Sequence, residues 1–251
     1  MLVRRGLRPR MVALDTPFPP GFAESPAEAL ARHLDHYAFR LFLRGAIQHG
    51  EGFSPEAATD YVGPARAADM ARVLVDLGLA EVARSGRFKL RCPVASFGPT
   101  LEWWVGRELA RRLGFDVATG VKLRAPGVGG DLDVVAAAEG RLVYVELKSS
   151  PPKHLSDTEV AAFFARVRCL RPDLTLFVMD TALRLSDKVV PMLVAEARRG
   201  AGGARVVPRS VRPGLWAVTP YLYAVGAKPS LMSNVAAAVA EGLRALAPPV
   251  P

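Results

Sequence analysis

Between Gly129 and Ser150 the chain reads GGDLDVVAAAEGRLVYVELKSS, two apolar runs that carry Asp131, Asp133, Glu146 and Lys148 where buried strands ordinarily carry no charge. Two carboxylates brought together can hold Mg²⁺ through their oxygens and leave several coordination positions for water and a substrate phosphate. An ammonium beside them can orient an attacking water or counter the charge that builds on a phosphorus centre under attack. The residue types therefore point to metal-assisted chemistry on a phosphate.

That chemistry requires the two runs to pair. Glu139 and Gly140 fit a two-residue loop, the glycine supplying the positive φ of a tight primed turn, so that Ala138 faces Arg141. Counting outward at the strand period of two, Val135 faces Tyr144, Asp133 faces Glu146 and Asp131 faces Lys148, with all four polar residues on one face. Like charges directly opposed on a sheet, with Cβ atoms about 4.5–5.5 Å apart, are destabilising unless something neutralises them. A bulge or a one-residue slip would turn Asp133 or Glu146 to the other face. The competing reading is an Asp that opens a strand and a salt-bridged Glu-Lys pair on a solvated face. Against it, Val134, Val135, Val143, Tyr144, Val145 and Leu147 make both faces apolar, and unpaired charge in a covered hairpin would be costly.

The flanking elements must frame this hairpin. LEWWVGRELARRLGF places Leu101, Trp104, Val105, Leu109 and Leu113 on one helical stripe. Glu102 falls between Leu109 and Leu113 on the wheel, so its carboxylate points into the apolar arc. Glu108 is its rival, and a solvated helix edge is the alternative. Asp116 to Leu123 reads as a strand, and APGVGG after it as a mobile loop. GVGG leads into a strand, whereas phosphate-binding glycines must open a helix, so no dinucleotide fingerprint is present.

After the hairpin, Ser156-Asp157-Thr158-Glu159 is a capping box that starts a helix through Leu170, which makes Glu159 a cap and not a ligand. Phe163, Val167 and Leu170 face the core, leaving Arg166 and Arg168 to meet backbone phosphates or solvent. Lys153 and His154 follow Lys148 closely enough for their loop to border a substrate groove. LTLFVMD is a buried strand ending at Asp180. A helix over 186–199, a GAGG loop at 200–203, strands in ARVVP and PYLYAV, and a closing helix from Leu231 to Leu246 complete the chain.

An Asp, a dozen or so residues across a hairpin, and then Glu-x-Lys is similar to the active site of the PD-(D/E)XK nuclease superfamily, the restriction-endonuclease-like fold. The matching residues are Asp133, Glu146 and Lys148; Leu132 stands where the motif's proline would be. The order helix, three strands, helix, strand from Leu101 onward also resembles that superfamily's core. The resemblance implies an α/β (α+β) domain with a mixed sheet over residues 99–251. It implies Mg²⁺ held by Asp133 and Glu146, with Mn²⁺ able to substitute, and Glu102 assisting as a further acidic ligand. Lys148 would act on the nucleophile, and hydrolysis would leave a 5′-phosphate and a 3′-hydroxyl. DNA is the expected partner and RNA an alternative. A homodimer would suit the cutting of two strands.

Residues 1–24, basic and then Pro-rich, read as a flexible arm. Ser25-Pro26-Ala27-Glu28 offers a capping box for a first helix continuing to Gly50, broken once. Ser54-Pro55-Glu56 starts a short helix ending near Val62, and Pro64 a third that runs to Leu77. LAEVARSGRFKLR follows as a basic hairpin around Ser85-Gly86. Helices followed by a hairpin look like a winged helix-turn-helix within residues 25–92, with Arg66 and Arg72 on the reading helix and Arg84, Arg87 and Lys89 on the wing. Asp69 and Asp76 dilute that positive field, and a winged helix used for packing or dimerisation is the alternative. CPVASFGP, residues 92–99, is the expected linker.

The 251 residues carry a formal charge of +9, half of them are apolar and 23% are charged, an ordinary globular composition that favours a polyanionic partner. Cys92 and Cys169, the two cysteines, stand far apart, which argues against a disulfide framework or zinc ribbon and suits the cytoplasm. The N-terminus lacks the apolar core of a signal peptide, and no apolar run approaches the ~18 residues of a spanning helix. G-x-S-x-G and G-x-x-x-x-G-K-[ST] are absent. His33 and His36 sit beside Arg32 and Asp35 on what reads as a solvated helix face. A non-catalytic DNA-binding protein that uses a nuclease-like scaffold is the rival function.

Overall fold

The structure, a computed structural model, describes residues 1–50, 52–84, 86–123, 130–200 and 202–246. The APGVGG loop apart from Gly130, Ser85 of the basic hairpin and Ala201 of GAGG lie outside the described residues. In chain order the elements are β1 (Pro9–Met11), α1 (Glu24–Leu34), α2 (Tyr37–Gln48), α3 (Pro55–Ala58), α4 (Pro64–Asp76), β2 (Ala80–Val82), β3 (Phe88–Leu90), α5 (Gly98–Leu113), β4 (Asp116–Leu123), β5 (Asp131–Ala138), β6 (Arg141–Lys148), α6 (Asp157–Leu170), β7 (Leu174–Met179), α7 (Val189–Gly200), β8 (Arg209–Arg212), β9 (Leu215–Thr219), β10 (Leu222–Val225) and α8 (Leu231–Leu246). They form two compact units, one of Leu14–Trp104 and one of Met1–Ala13 with Val105–Pro251. The division falls inside α5.

The larger unit is a mixed α/β structure on one sheet in the order β1-β4-β5-β6-β7-β10-β9-β8. Its centre is parallel, β6 with β7 and β7 with β10, and its two sides are antiparallel. Such a centre must be covered on both faces, which explains why β6 and β7 are buried almost throughout. Val135 and its cross-strand partner Tyr144 share one core with Phe163 of α6 and Val189, Val190 and Leu193 of α7. Val134 points the opposite way. There Gly106 of α5 lies so near the sheet that a Cβ on it would come within 2.8 Å of Thr119 Cγ2, so a larger residue would lift the helix off β4. Gly242 of α8 makes a similar approach to Leu174 on β7.

The β5–β6 hairpin has the expected register, Ala138 opposite Arg141 and Val135 opposite Tyr144, closed by Glu139 at φ 52° and Gly140 at φ 75°. Positive φ at both central residues is the signature of a type I′ turn, whose twist matches that of the strands.

The N-terminal arm is a correction. Pro9–Met11 pairs with β4 as the edge strand of the large sheet, and Arg5 anchors the preceding turn through a 2.7 Å ion pair to Asp173. A three-residue edge strand has no periodicity to read. Ser25 does not cap α1 either: the helix starts at Glu24 with Ala23 at the N-cap. ARVVP is irregular, and the late strands are β8, β9 and β10.

In the smaller unit α1, α2, α3 and α4 precede a two-stranded β2–β3 hairpin. Ser54 caps α3, which is shorter than expected, and Pro64 occupies the first turn of α4. Phe39, Phe42, Phe53, Leu74 and Trp104 fill its core, with the Trp104 indole donating to Ala31 O at 3.1 Å. α5 begins at Gly98, so the expected linker is short and runs into the helix. Among the described residues no helix is long and apolar enough to cross a membrane.

Candidate active site

Paired strands hand their charged residues to one corner at the end of β6. The ladder between β5 and β6 is regular as far as Val134 opposite Val145, and Asp133 and Glu146 are next in that register. There Asp133 Oδ2 accepts the backbone amide of Leu147 at 2.6 Å. In a continued ladder that amide would go to the backbone of β5, so the Asp133 carboxylate substitutes for a strand carbonyl and is held rigidly.

Glu146 is only 2% exposed. Its Oε1 accepts from Arg166 Nη2 at 2.7 Å and pairs with Lys148 Nζ at 3.1 Å, while its Oε2 accepts the hydroxyl of Tyr144. Arg166 Nε donates to Tyr144 Oη at 3.0 Å, which closes a ring of Tyr144, Glu146 and Arg166. Tyr144 is fixed from the side by Phe163, stacked at 6.0 Å. Lys148 also reaches Glu159 Oε1 at 3.5 Å, and its backbone carbonyl accepts the amide of Asp180, a buried residue just past β7.

α6 supplies two members of this corner for a simple reason. Glu159 and Arg166 lie seven residues apart, about two turns, and so share a helix face. The Ser156 cap that starts the helix fixes Glu159 through reciprocal hydrogen bonds, as expected, and thereby fixes the phase that brings Arg166 to the sheet.

Burial, with the neighbouring Glu146 charge, pushes the Asp133 carboxyl up to about 7, against the Leu147 amide, Lys148 and Arg166 that pull it down. Burial and the same carboxylates push the Tyr144 hydroxyl well above its ordinary value, so it stays a donor. For Lys148, burial acts downward, but Glu146, Asp133 and Glu159 outweigh it and the ammonium is stabilised above its ordinary value.

Of the residues read from sequence, Asp133, Glu146 and Lys148 come together. Asp131 does not join them: it is exposed and pairs with Lys122 across β4 at 3.3 Å. Arg166 is a correction: it is buried at 7% exposure and ion-paired inside the corner, not presented to backbone phosphates from a solvated face. Glu102 is half-buried on the first part of α5, in the smaller unit, and Glu108 is buried and ion-paired to Arg112. Lys153 is exposed in the turn after β6, and Lys188 Nζ donates to its carbonyl at 2.9 Å. Arg66, Arg84 and Lys89 are exposed on α4 and the β2–β3 hairpin, Arg72 pairs with Asp69 at 2.6 Å, and Arg87 donates to Gly52 O at 2.7 Å.

Tyr144 and Arg166 join the corner without having been expected there. The signal for Tyr144 was present, since it shares the even-numbered face of β6 with Glu146 and Lys148. Among the described residues no group of three or more His, Cys, Asp or Glu is placed to hold a metal ion. Two carboxylates with waters and a substrate phosphate are nonetheless a sufficient donor set for Mg²⁺. Burial, with the Glu146 charge, raises the Asp133 carboxyl, while Arg166 and Lys148 already supply countercharge to Glu146, so any ion here would compete with them.

No protein-family model and no curated protein matches this chain. Among solved structures it is similar to protein VC1899 from Vibrio cholerae, at a TM-score of 0.52 and 13% identity over 97% of this chain and 60% of that one. It is also similar to Can2 from Sulfobacillus thermosulfidooxidans, solved in complex with cyclic tetra-adenylate, at a TM-score of 0.49 and 12% identity over 96% of this chain and 59% of that one. The chain thus spans about 60% of the length of VC1899, and the likeness to it is one of fold.

Proposed function

We propose that this protein is a metal-dependent nuclease of the PD-(D/E)XK kind that hydrolyses DNA phosphodiester bonds. The observation that carries the reading is the convergence of Asp133, Glu146 and Lys148 in one corner at the end of the β5–β6 hairpin. Asp133 and Glu146 would hold Mg²⁺ or Mn²⁺. The ion, when bound, supplies Lewis-acid polarisation of the phosphate and a lowered pKa of its bound water.

Lys148, kept charged by its carboxylate neighbours, serves as a proton donor and countercharge and not as a base. It steadies the negative charge on the phosphate oxygens as the P–O bond breaks. The Leu147 amide holds Asp133 in place, and Tyr144 fixes the orientation of Glu146. The helical unit and its hairpin act as a winged helix that binds the DNA backbone.

Purified protein is tested on single-stranded, duplex and branched DNA with Mg²⁺ or Mn²⁺. The expected result is cleavage to 5′-phosphate ends, abolished by EDTA and by Asp133→Ala or Lys148→Ala. Equal cleavage by the wild type and both variants would overturn the proposal. A second reading, a non-catalytic DNA-binding protein, is favoured by one observation: Glu146 is already satisfied by Arg166, Lys148 and Tyr144. It predicts salt-sensitive DNA binding that is indifferent to divalent ions and to Glu146→Gln.

A further inference from the structure

β6, β7 and β10 run parallel and end level: Lys148, the last residue of β6, stands opposite Met179 at the end of β7, and Val178 stands opposite Val225 at the end of β10. In an open α/β sheet, ligands bind outside the carboxyl ends of the parallel strands. The corner of Asp133, Glu146 and Lys148 occupies that rim only at β6. The loops that follow β7 and β10 continue it, and hydrogen bonds stitch them together. Asp180 N donates to Lys148 O at 2.8 Å, Ala227 N to Thr181 O at 2.8 Å, and Lys188 Nζ to Lys153 O at 2.9 Å.

These loops are rich in cations. Lys153 follows β6, Arg184 and Lys188 follow β7, and Lys228 follows β10. Lys153, Arg184 and Lys228 are exposed, and among the described residues none of them has an ion-pair partner. The carboxylates in the same loops are Asp180, which is buried, and Asp187, which accepts from Ser186 Oγ at 2.9 Å. Beside Arg184, Leu183 is 63% exposed, and its backbone amide donates to the hydroxyl of buried Thr181 at 3.2 Å, which anchors the turn that presents it. Cations in a row with an apolar side chain among them fit a chain that offers both phosphates and bare base faces.

We propose that the rim from Lys153 through Arg184 to Lys228 is the track on which a single strand of DNA crosses the ends of β6, β7 and β10 to reach the corner, with Leu183 against an unpaired base. Neighbouring strands stand about 4.8 Å apart, so the span from β6 to β10 is about 10 Å, the axial rise of about three stacked nucleotides. A duplex covers its base faces by stacking and would leave Leu183 nothing apolar to meet, whereas a single strand exposes them. The inference rests on the nuclease reading and deepens it by naming the path and the form of the substrate.

The experiment titrates a labelled oligonucleotide, single-stranded or as a duplex, by fluorescence anisotropy across salt concentrations. Lys148→Ala is the background, so that Mg²⁺ can be present without cleavage. On it are placed Arg184→Ala with Lys228→Ala, Leu183→Ser, and a control, Arg205→Ala with Arg244→Ala; all these side chains are exposed, and melting curves check the fold. The control removes the same charge from the other end of the sheet: Arg244 is in the last turn of α8, whose Leu246 O accepts from Arg141 at the start of β6, and Arg205 lines a cavity with Thr175 near the start of β7. The rim pair is expected to lower the slope of log affinity against log salt for the single strand by about 1.4, about 0.7 for each phosphate no longer neutralised, and the control to leave it unchanged. Leu183→Ser is expected to weaken single-strand binding at least about threefold at an unchanged slope and to leave duplex binding as it was. Equal losses of slope in rim and control, or none in either, overturn the inference in favour of a diffuse positive surface. Single-strand affinity untouched by Leu183→Ser overturns it as well. A wild type that cleaves neither form of DNA overturns instead the nuclease reading beneath it.

Discussion

At the end of β6, Glu146 is 2% exposed and shared among Arg166, Lys148 and Tyr144, whereas along the β2–β3 hairpin Arg84, Arg87 and Lys89 stand in solvent. Both regions are charged, but burial gives the same residue types different work. In the corner, low dielectric makes each charge depend on its neighbours and shifts the Asp133 carboxyl to about 7. On the hairpin, water screens every charge, so its cations act as a diffuse field suited to a polyanion backbone.

The largest expected effect lies in the corner. Asp133→Asn or Lys148→Ala should lower DNA cleavage by about 10²- to 10⁴-fold in single-turnover assays, as expected for a charge removed from the reacting centre. A decrease of only a few-fold would mean that the buried charges are structural.

Asp133→Asn should at the same time stabilise the metal-free protein. The folded-state pKa of Asp133 lies above its unfolded value of 3.8, so the folded form binds the proton more tightly. The stability of the wild type relative to Asp133→Asn should accordingly fall as pH rises from about 4 to about 7, and the gap should close when Mn²⁺ is added. Melting curves at the two pH values check this. A gap that widens toward acid would reverse the assigned sign.

On the hairpin, the triple change of Arg84, Arg87 and Lys89 to Ala should weaken DNA binding without changing the rate at saturation. The slope of log affinity against log salt should fall by about 0.9 for each phosphate that the variant no longer neutralises. Arg72→Ala should be the mildest change, within about twofold, because that guanidinium is already paired with Asp69 at 2.6 Å. Filter-binding titrations across salt concentrations separate the two variants.

The corner was readable from sequence because a strand's period of two and a two-residue turn fix a register without tertiary information, and Ala138, Val135 and Tyr144 fall where that count puts them. The Ser156 cap was readable for the same local reason. Arg166 was not. Its direction depends on how α6 is seated on the sheet, and a helix wheel alone leaves an arginine beside Phe163 and Val167 free to point outward. The N-terminal strand escaped because its pairing with β4 spans more than a hundred residues of chain. The cap of α1 escaped because Ser25-Pro26 offers a stronger local signal than Ala23, the residue that fills the position.

The central claim is that Asp133 and Glu146 together hold a divalent cation. Anomalous scattering from a crystal soaked in Mn²⁺ tests it most directly. The account predicts a single strong peak within reach of both carboxylates. A crystal that shows Mn²⁺ elsewhere, with Glu146 still bound to Arg166, would contradict it.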